Sequence, residues 1–123
     1  MRTWRSTSAI LAAVAGVVAL ASSTGGVTPK GDHKAGQALY ESRCAKCHGA
    51  NGAGDGRVAQ LLSDRPRDWT AGEGLEGLSD EQVVDIIRKG GPAVGKSSSM
   101  IAFPRLSHAE VWNLVAHIRT LQQ

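Results

Sequence analysis

Apolar positions recur with a helical period in three parts of the chain. The first is short: Ala35, Leu39 and Tyr40 lie in HKAGQALYESR, after Asp32, which has the side chain to cap a helix beginning near His33 and running through Arg43 into the cysteines. The second is LSDEQVVDIIRKGG. Ser79 and Gln82 have capping-box spacing, with Leu78 and Val83 placed as a hydrophobic staple. Val83, Val84, Ile86 and Ile87 form one apolar face; Arg88 and Lys89 complement the carboxyl-end dipole, and Gly90-Gly91-Pro92 stops the helix. The third, LSHAEVWNLVAHIRTLQQ, repeats the device with Ser107 and Glu110, then Leu106 and Val111. Apolar residues at 111, 114, 115, 118 and 121 follow. Residues 49–77 hold Gly, Pro and Asp clusters without a sustained period, and are expected to be loop with a short helical turn near Val58–Leu62. No alternating run supports a strand. The pattern predicts an all-α domain with three main helices and long loops.

A fourth apolar tract is of another kind. Arg2 and Arg5 precede SAILAAVAGVVALA, residues 8–21, which ends on small residues. About 14 apolar residues fall short of the roughly 20 that span a membrane. This reads as a secretory signal peptide over residues 1–21, and an uncleaved anchor is the alternative. Export to the periplasm is expected, with membrane association only if the segment is retained. Residues 22–32, small and turn-rich, are expected to be a flexible leader, and residues 33–123 the folded domain.

Removing the signal changes the charge. The 14 Lys and Arg lose Arg2 and Arg5, leaving 12 against 11 Asp and Glu, a net charge of +1. No basic stripe remains, so nucleic acid is not an expected partner. The domain has few large residues (its aromatics are Tyr40, Trp69, Phe103 and Trp112) and many glycines. A domain this small is marginal unless something else fills its centre.

The two cysteines stand three positions apart in CAKCHGANGAGDG, with His48 directly after Cys47. On a helix, positions i, i+3 and i+4 share a face. Two thiols one turn apart can reach the two vinyl groups on one edge of a porphyrin, and the adjacent imidazole then lies over the ring centre. This C-x-x-C-H arrangement is that of c-type haem attachment. Other readings are weaker. A thioredoxin-like thiol–disulfide oxidoreductase needs a βαβ context that the pattern does not supply. Zinc needs further ligands, and His108 and His117 are nine apart on a helix, not paired. A disulfide at this spacing closes too small a loop to constrain much. Gly49, Gly52, Gly54 and Gly56 suit a loop wrapping a flat cofactor's edge, or an ordinary mobile loop; no Lys-Ser/Thr follows to make it a phosphate loop.

Haem with two axial protein ligands needs a second donor. After the signal, Met100 is the one methionine, in a loop between two predicted helices, and thioether ligation raises the reduction potential. His108, His117, Lys96 or an open site are the alternatives; His117, flanked by Leu114, Val115 and Ile118, reads better as a helix-packing residue.

With these features in place, the chain resembles the class I monohaem cytochromes c, in particular the small bacterial periplasmic ones. GQALYESRCAKCHGANGAGDG, LSDEQVVDIIRKGGPAVGKSSSM and LSHAEVWNLVAHIRTL carry the resemblance. It implies a cytochrome c fold wrapped around one covalently bound haem c, with thioethers at Cys44 and Cys47 and axial ligands His48 and Met100. It also implies a close crossing of the first and last helices at Gly36, Tyr40 and Leu114, a proximal imidazole hydrogen-bonded to a proline carbonyl, for which Pro66 is the candidate, and Arg65, Arg67 and Trp69 either near the propionates or forming a solvated cluster. His117 and Ile101 depart from the pattern, standing where an aromatic residue and a proline are common. The function implied is one-electron transfer without substrate chemistry, to redox partners such as a periplasmic or membrane-bound oxidase, reductase or dehydrogenase. A haem subunit dedicated to one such dehydrogenase or oxidase complex is the alternative.

Overall fold

A computed structural model describes residues 30–122; the signal segment and residues 22–29 of the leader lie outside the described residues. The described chain forms α1 (His33–Arg43), α2 (Ala45–His48), α3 (Asp80–Lys89) and α4 (His108–Leu121), with 3-10 turns at Ala59–Leu61, Trp69–Ala71 and Pro92–Val94 and no strand among the described residues. The first 3-10 turn falls where a helical turn was expected. The second was not expected, although Asp68-Trp69-Thr70 carries its signal: Asp68 Oδ1 accepts from the N–H groups of Thr70 (2.9 Å) and Ala71 (3.3 Å), as in an Asx turn.

The predicted caps form. Asp32 Oδ1 accepts from Lys34 N–H at 2.8 Å and Ala35 N–H at 3.3 Å, starting α1. At α3, Gln82 N–H donates to Ser79 Oγ (3.2 Å) and Ser79 N–H to Gln82 Oε1 (2.8 Å). At α4, Glu110 N–H donates to Ser107 Oγ (3.2 Å) and Ser107 N–H to Glu110 Oε2 (2.7 Å). Each box satisfies two donors that a helix start otherwise leaves without partners.

The closest packing is between α1 and α4. A Cβ added to Gly36 would stand 1.9 Å from the Asn113 carbonyl oxygen, so only hydrogen fits between the two backbones. That proximity seals Tyr40, Val111, Leu114 and Val115 almost completely from solvent. Each such side chain contributes about 1.5–3 kcal/mol by leaving water. His117 takes part in the same crossing, its ring centroid 5.0 Å from that of Tyr40, and so fills the place of an aromatic residue. Val83, Ile87, Trp69 and Leu75 extend the core under α3. Arg119 of α4 ties the start of α3 with Nε to Asp80 Oδ1 (2.8 Å) and Nη2 to the Leu78 carbonyl (2.6 Å).

The last residues of the leader are also engaged. Lys30 pairs with Glu81 at 2.7 Å with its ammonium 4.6 Å above the Trp112 ring, and Asp32 N–H donates to Asn113 Oδ1 at 2.7 Å. The Lys30–Glu81 pair is well exposed, so it orients the entering chain more than it stabilises it.

Two outcomes follow from the crossing. Alanine at position 36 would gain about 1 kcal/mol of helix propensity, yet overpacking against a backbone costs about 1–3 kcal/mol. Gly36→Ala is expected to be destabilised overall in a urea titration; an unchanged or raised midpoint would show that the helices have room to part. Burial holds the His117 pKa below its ordinary 6.5, with His33 pushing the same way and Glu41 opposing. A base whose folded pKa is lowered stabilises the native state above the unfolded pKa and loses that contribution as pH falls. His117→Phe should therefore show a smaller loss of stability than the parent between pH 7 and 5, measured by denaturant midpoint; parallel curves would show that His117 is not held neutral.

Candidate functional site

The expected continuous helix through the cysteines is broken at one residue. Cys44 ends α1 and begins α2, with φ −114° and ψ −37°. The Cys47 and His48 N–H groups both point back to the Cys44 carbonyl, at 3.1 and 3.0 Å. The single turn that places two thiols and an imidazole together is thus anchored on the end of the buried helix crossing.

The following loop folds back along this turn. Gly54 N–H donates to the His48 carbonyl (2.9 Å), Gly56 N–H to that of Cys47 (3.2 Å) and Val58 N–H to that of Lys46 (3.0 Å). These bonds satisfy carbonyls that a four-residue helix leaves open. The glycines have their reason here: a Cβ on Gly56 would lie 2.4 Å from the Lys46 carbonyl oxygen. The loop is closely packed on its own helix, so the glycines serve backbone-to-backbone contact. Tyr40 adds a buried bond from its hydroxyl to the Gly49 carbonyl at 2.7 Å.

Met100 reaches the same region from the other side of the fold. Its loop is held by backbone bonds: Gly91 N–H to the Met100 carbonyl (2.9 Å), Lys96 N–H to the Gly91 carbonyl (2.8 Å) and Phe103 N–H to the Ile87 carbonyl (2.9 Å). These supply the order that a proline after Met100 would otherwise give; Ile101 itself is 59% exposed.

Between α2 and the Met100 loop lies a mainly apolar cavity of about 290 Å³, walled by Cys44, Cys47, Val58, Leu62, Met100 and Phe103. A more polar cleft of about 770 Å³ adjoins it, bordered by Arg65, Arg67, Trp69 and Lys96. Asp64, Pro66, Ser97 and Met100 line both. Cys44, Cys47 and Met100 therefore meet at one space, and the three residues Arg65, Arg67 and Trp69 border its polar side. Of the alternative donors, Lys96 lines the polar cleft, whereas His108 and His117 line neither space. His108 instead accepts from Trp112 Nε1 at 3.0 Å.

His48 does not line either space; its ring stacks on that of Trp69, which borders the polar cleft, with centroids 4.5 Å apart and an interplanar angle of 24°. Its Nδ1 is buried and has no hydrogen-bond partner among the described residues. The Pro66 carbonyl, the expected acceptor, lies against Gly54, where an added Cβ would be 2.4 Å from the oxygen. Burial lowers the His48 pKa to about 4, which keeps the imidazole neutral, as a metal ligand must be. Burial, then the neighbouring Cys47, push the Cys44 thiol up to about 11. Reactive redox cysteines have lowered values, and Cys44 is shifted the other way. No cluster of three or more His, Cys, Asp or Glu residues able to hold a metal ion occurs among the described residues. The two thiols on an apolar space with a cationic border, beside the His48 imidazole, fit a covalently held haem.

Comparison with known proteins agrees. Residues 31–118 match the family described as cytochrome c oxidase, cbb3-type, subunit III. The fold is similar to a chain of the Kuenenia stuttgartiensis reducing HAO-like protein complex Kustc0457/Kustc0458, with 27% identity and a TM-score of 0.64, over 76% of this chain and 44% of that one. This chain thus spans less than half the length of that relative. None of the curated proteins compared matches it. The all-helical architecture is that of cytochrome c, and the family carries covalently bound c-type haem for electron transfer. The chain belongs to the family of cytochrome c oxidase, cbb3-type, subunit III, and is a small cytochrome c.

Proposed function

We propose that the protein is an exported, periplasmic one-electron carrier whose haem is joined by thioethers to Cys44 and Cys47, with His48 and Met100 as axial ligands. The observation that carries this reading is the shared space bounded by both thiols and the Met100 side chain. The haem, when bound, supplies the one-electron iron couple. The chain's own residues do the rest: α2 fixes the spacing of the attachment points, and the bonded Met100 loop presents a soft donor, a ligand type that raises the potential. Val58, Leu62 and Phe103 wall the apolar part of the space, and Arg65, Arg67 and Lys96 place positive charge where the propionates would lie. No substrate bond is made or broken at such a site.

Exposed Ile101 lines the apolar cavity, and exposed Leu61 precedes lining Leu62. With Arg43 and Lys46 on the cavity wall, this edge suits the small, weak encounter of an electron-transfer partner, such as an oxidase, reductase or dehydrogenase. A second reading has independent support: the family takes its description from an oxidase subunit, and the structural relative belongs to a complex. In that reading the protein is the dedicated haem subunit of one redox assembly, which co-purification with a partner enzyme would favour.

Replacing the axial donors tests the assignment. Met100→Ala is expected to keep its haem, fall in reduction potential and bind carbon monoxide in the ferrous state; a parent-like potential with no carbon monoxide binding would transfer the distal role to another residue, Lys96 first. His48→Ala is expected to lose the low-spin absorption spectrum, and an unaltered spectrum would remove it as a ligand.

A further inference from the structure

We infer that Trp69 is a positioning residue for His48: its indole lies on the imidazole and fixes the plane in which that ring is presented to iron. The inference rests on His48 being an axial ligand. A centroid separation of 4.5 Å at 24° is a stacked geometry, within the range in which aromatic pairs attract.

The indole is itself held from several sides. Trp69 is only 7% exposed. Its N–H donates to the Gly52 carbonyl at 2.9 Å, in the loop just beyond His48. Asp68 closes the turn beneath it, accepting from Thr70 Oγ1 at 2.6 Å as well as from backbone N–H groups. Gly52 makes room for the ring, since a Cβ there would lie 2.8 Å from Trp69 Cε3. Tyr40 covers another side, at 6.3 Å and 52°.

His48 has no comparable anchor of its own. Ligating histidines usually donate their second nitrogen to a carbonyl or carboxylate, which sets both tautomer and ring orientation. Here Nδ1 is buried without any such acceptor among the described residues. Rotation of the imidazole about its Cβ–Cγ bond would drive its edge into the indole face, so the stack restricts the angle that a hydrogen bond would otherwise set. The plane of an axial imidazole governs its overlap with the iron d orbitals, and hence the magnetic anisotropy of the low-spin ferric state.

Proton NMR and EPR on the haem-loaded protein test this. In the reduced, diamagnetic form, nuclear Overhauser contacts are expected between the Trp69 indole and His48 ring protons; their absence overturns the proposal. Trp69→Leu, with one haem per chain by intact mass, should shift the ferric g values and the pattern of haem methyl resonances, and Trp69→Phe should return both toward the parent. Parent-like g values and methyl pattern in folded Trp69→Leu overturn the proposal, and if that variant fails to fold, the contacts in the parent decide. His48→Ala separates the premise from the inference: an unchanged low-spin spectrum there removes the ligand and with it the role, whereas its loss alongside missing indole contacts removes the stack alone.

Discussion

The near-contact of two backbones at Gly36 and Asn113 is the constraint on which the other features depend. It brings α1 against α4 closely enough to exclude water from Tyr40 and Leu114, and it fixes the direction in which α1 delivers the chain at Cys44. Everything chemical comes after that residue. The helix that follows Cys44 and carries Cys47 and His48 is only four residues long and has too few internal bonds to persist alone. It is held at one end by the helix crossing and along its side by the returning loop.

That arrangement separates two kinds of order. Cys44 and Cys47 are positioned by a continuous backbone network, through Gly54, Gly56 and Val58. Met100 is positioned by a second network, through Gly91 and Phe103, on the far side of the space. A flat group between them would be held by both networks at once. In a domain with so few large side chains, a group held there would form part of the interior, and its binding would be coupled to folding.

The parts legible in the sequence are those whose cause is local. Ser79 with Gln82, Ser107 with Glu110, and Asp32 each act on N–H groups within three residues, so spacing alone announces them. Gly36 was legible only through the resemblance, because its partner Asn113 is far along the chain. The glycine-rich stretch after His48 was read as wrapping a flat edge or as a mobile loop; its actual packing against the carbonyls of α2 depends on a fold-back that composition does not encode. Nor did spacing reveal Trp69 on His48, or Arg119 on Asp80. Both join segments brought together by long loops. Pro66 illustrates the limit of analogy: it borders the site, but its carbonyl faces Gly54.

The central claim is that haem is joined to this chain by sulfur at Cys44 and Cys47. Intact mass of the purified protein, read beside its reduced alkaline-pyridine absorption spectrum, addresses it directly. The account predicts one haem added to the polypeptide mass, retained under denaturing acid extraction, with the spectrum of a haem whose two vinyl groups are saturated. A mass equal to the amino acids alone, or haem that extracts freely into acidified solvent, would contradict it.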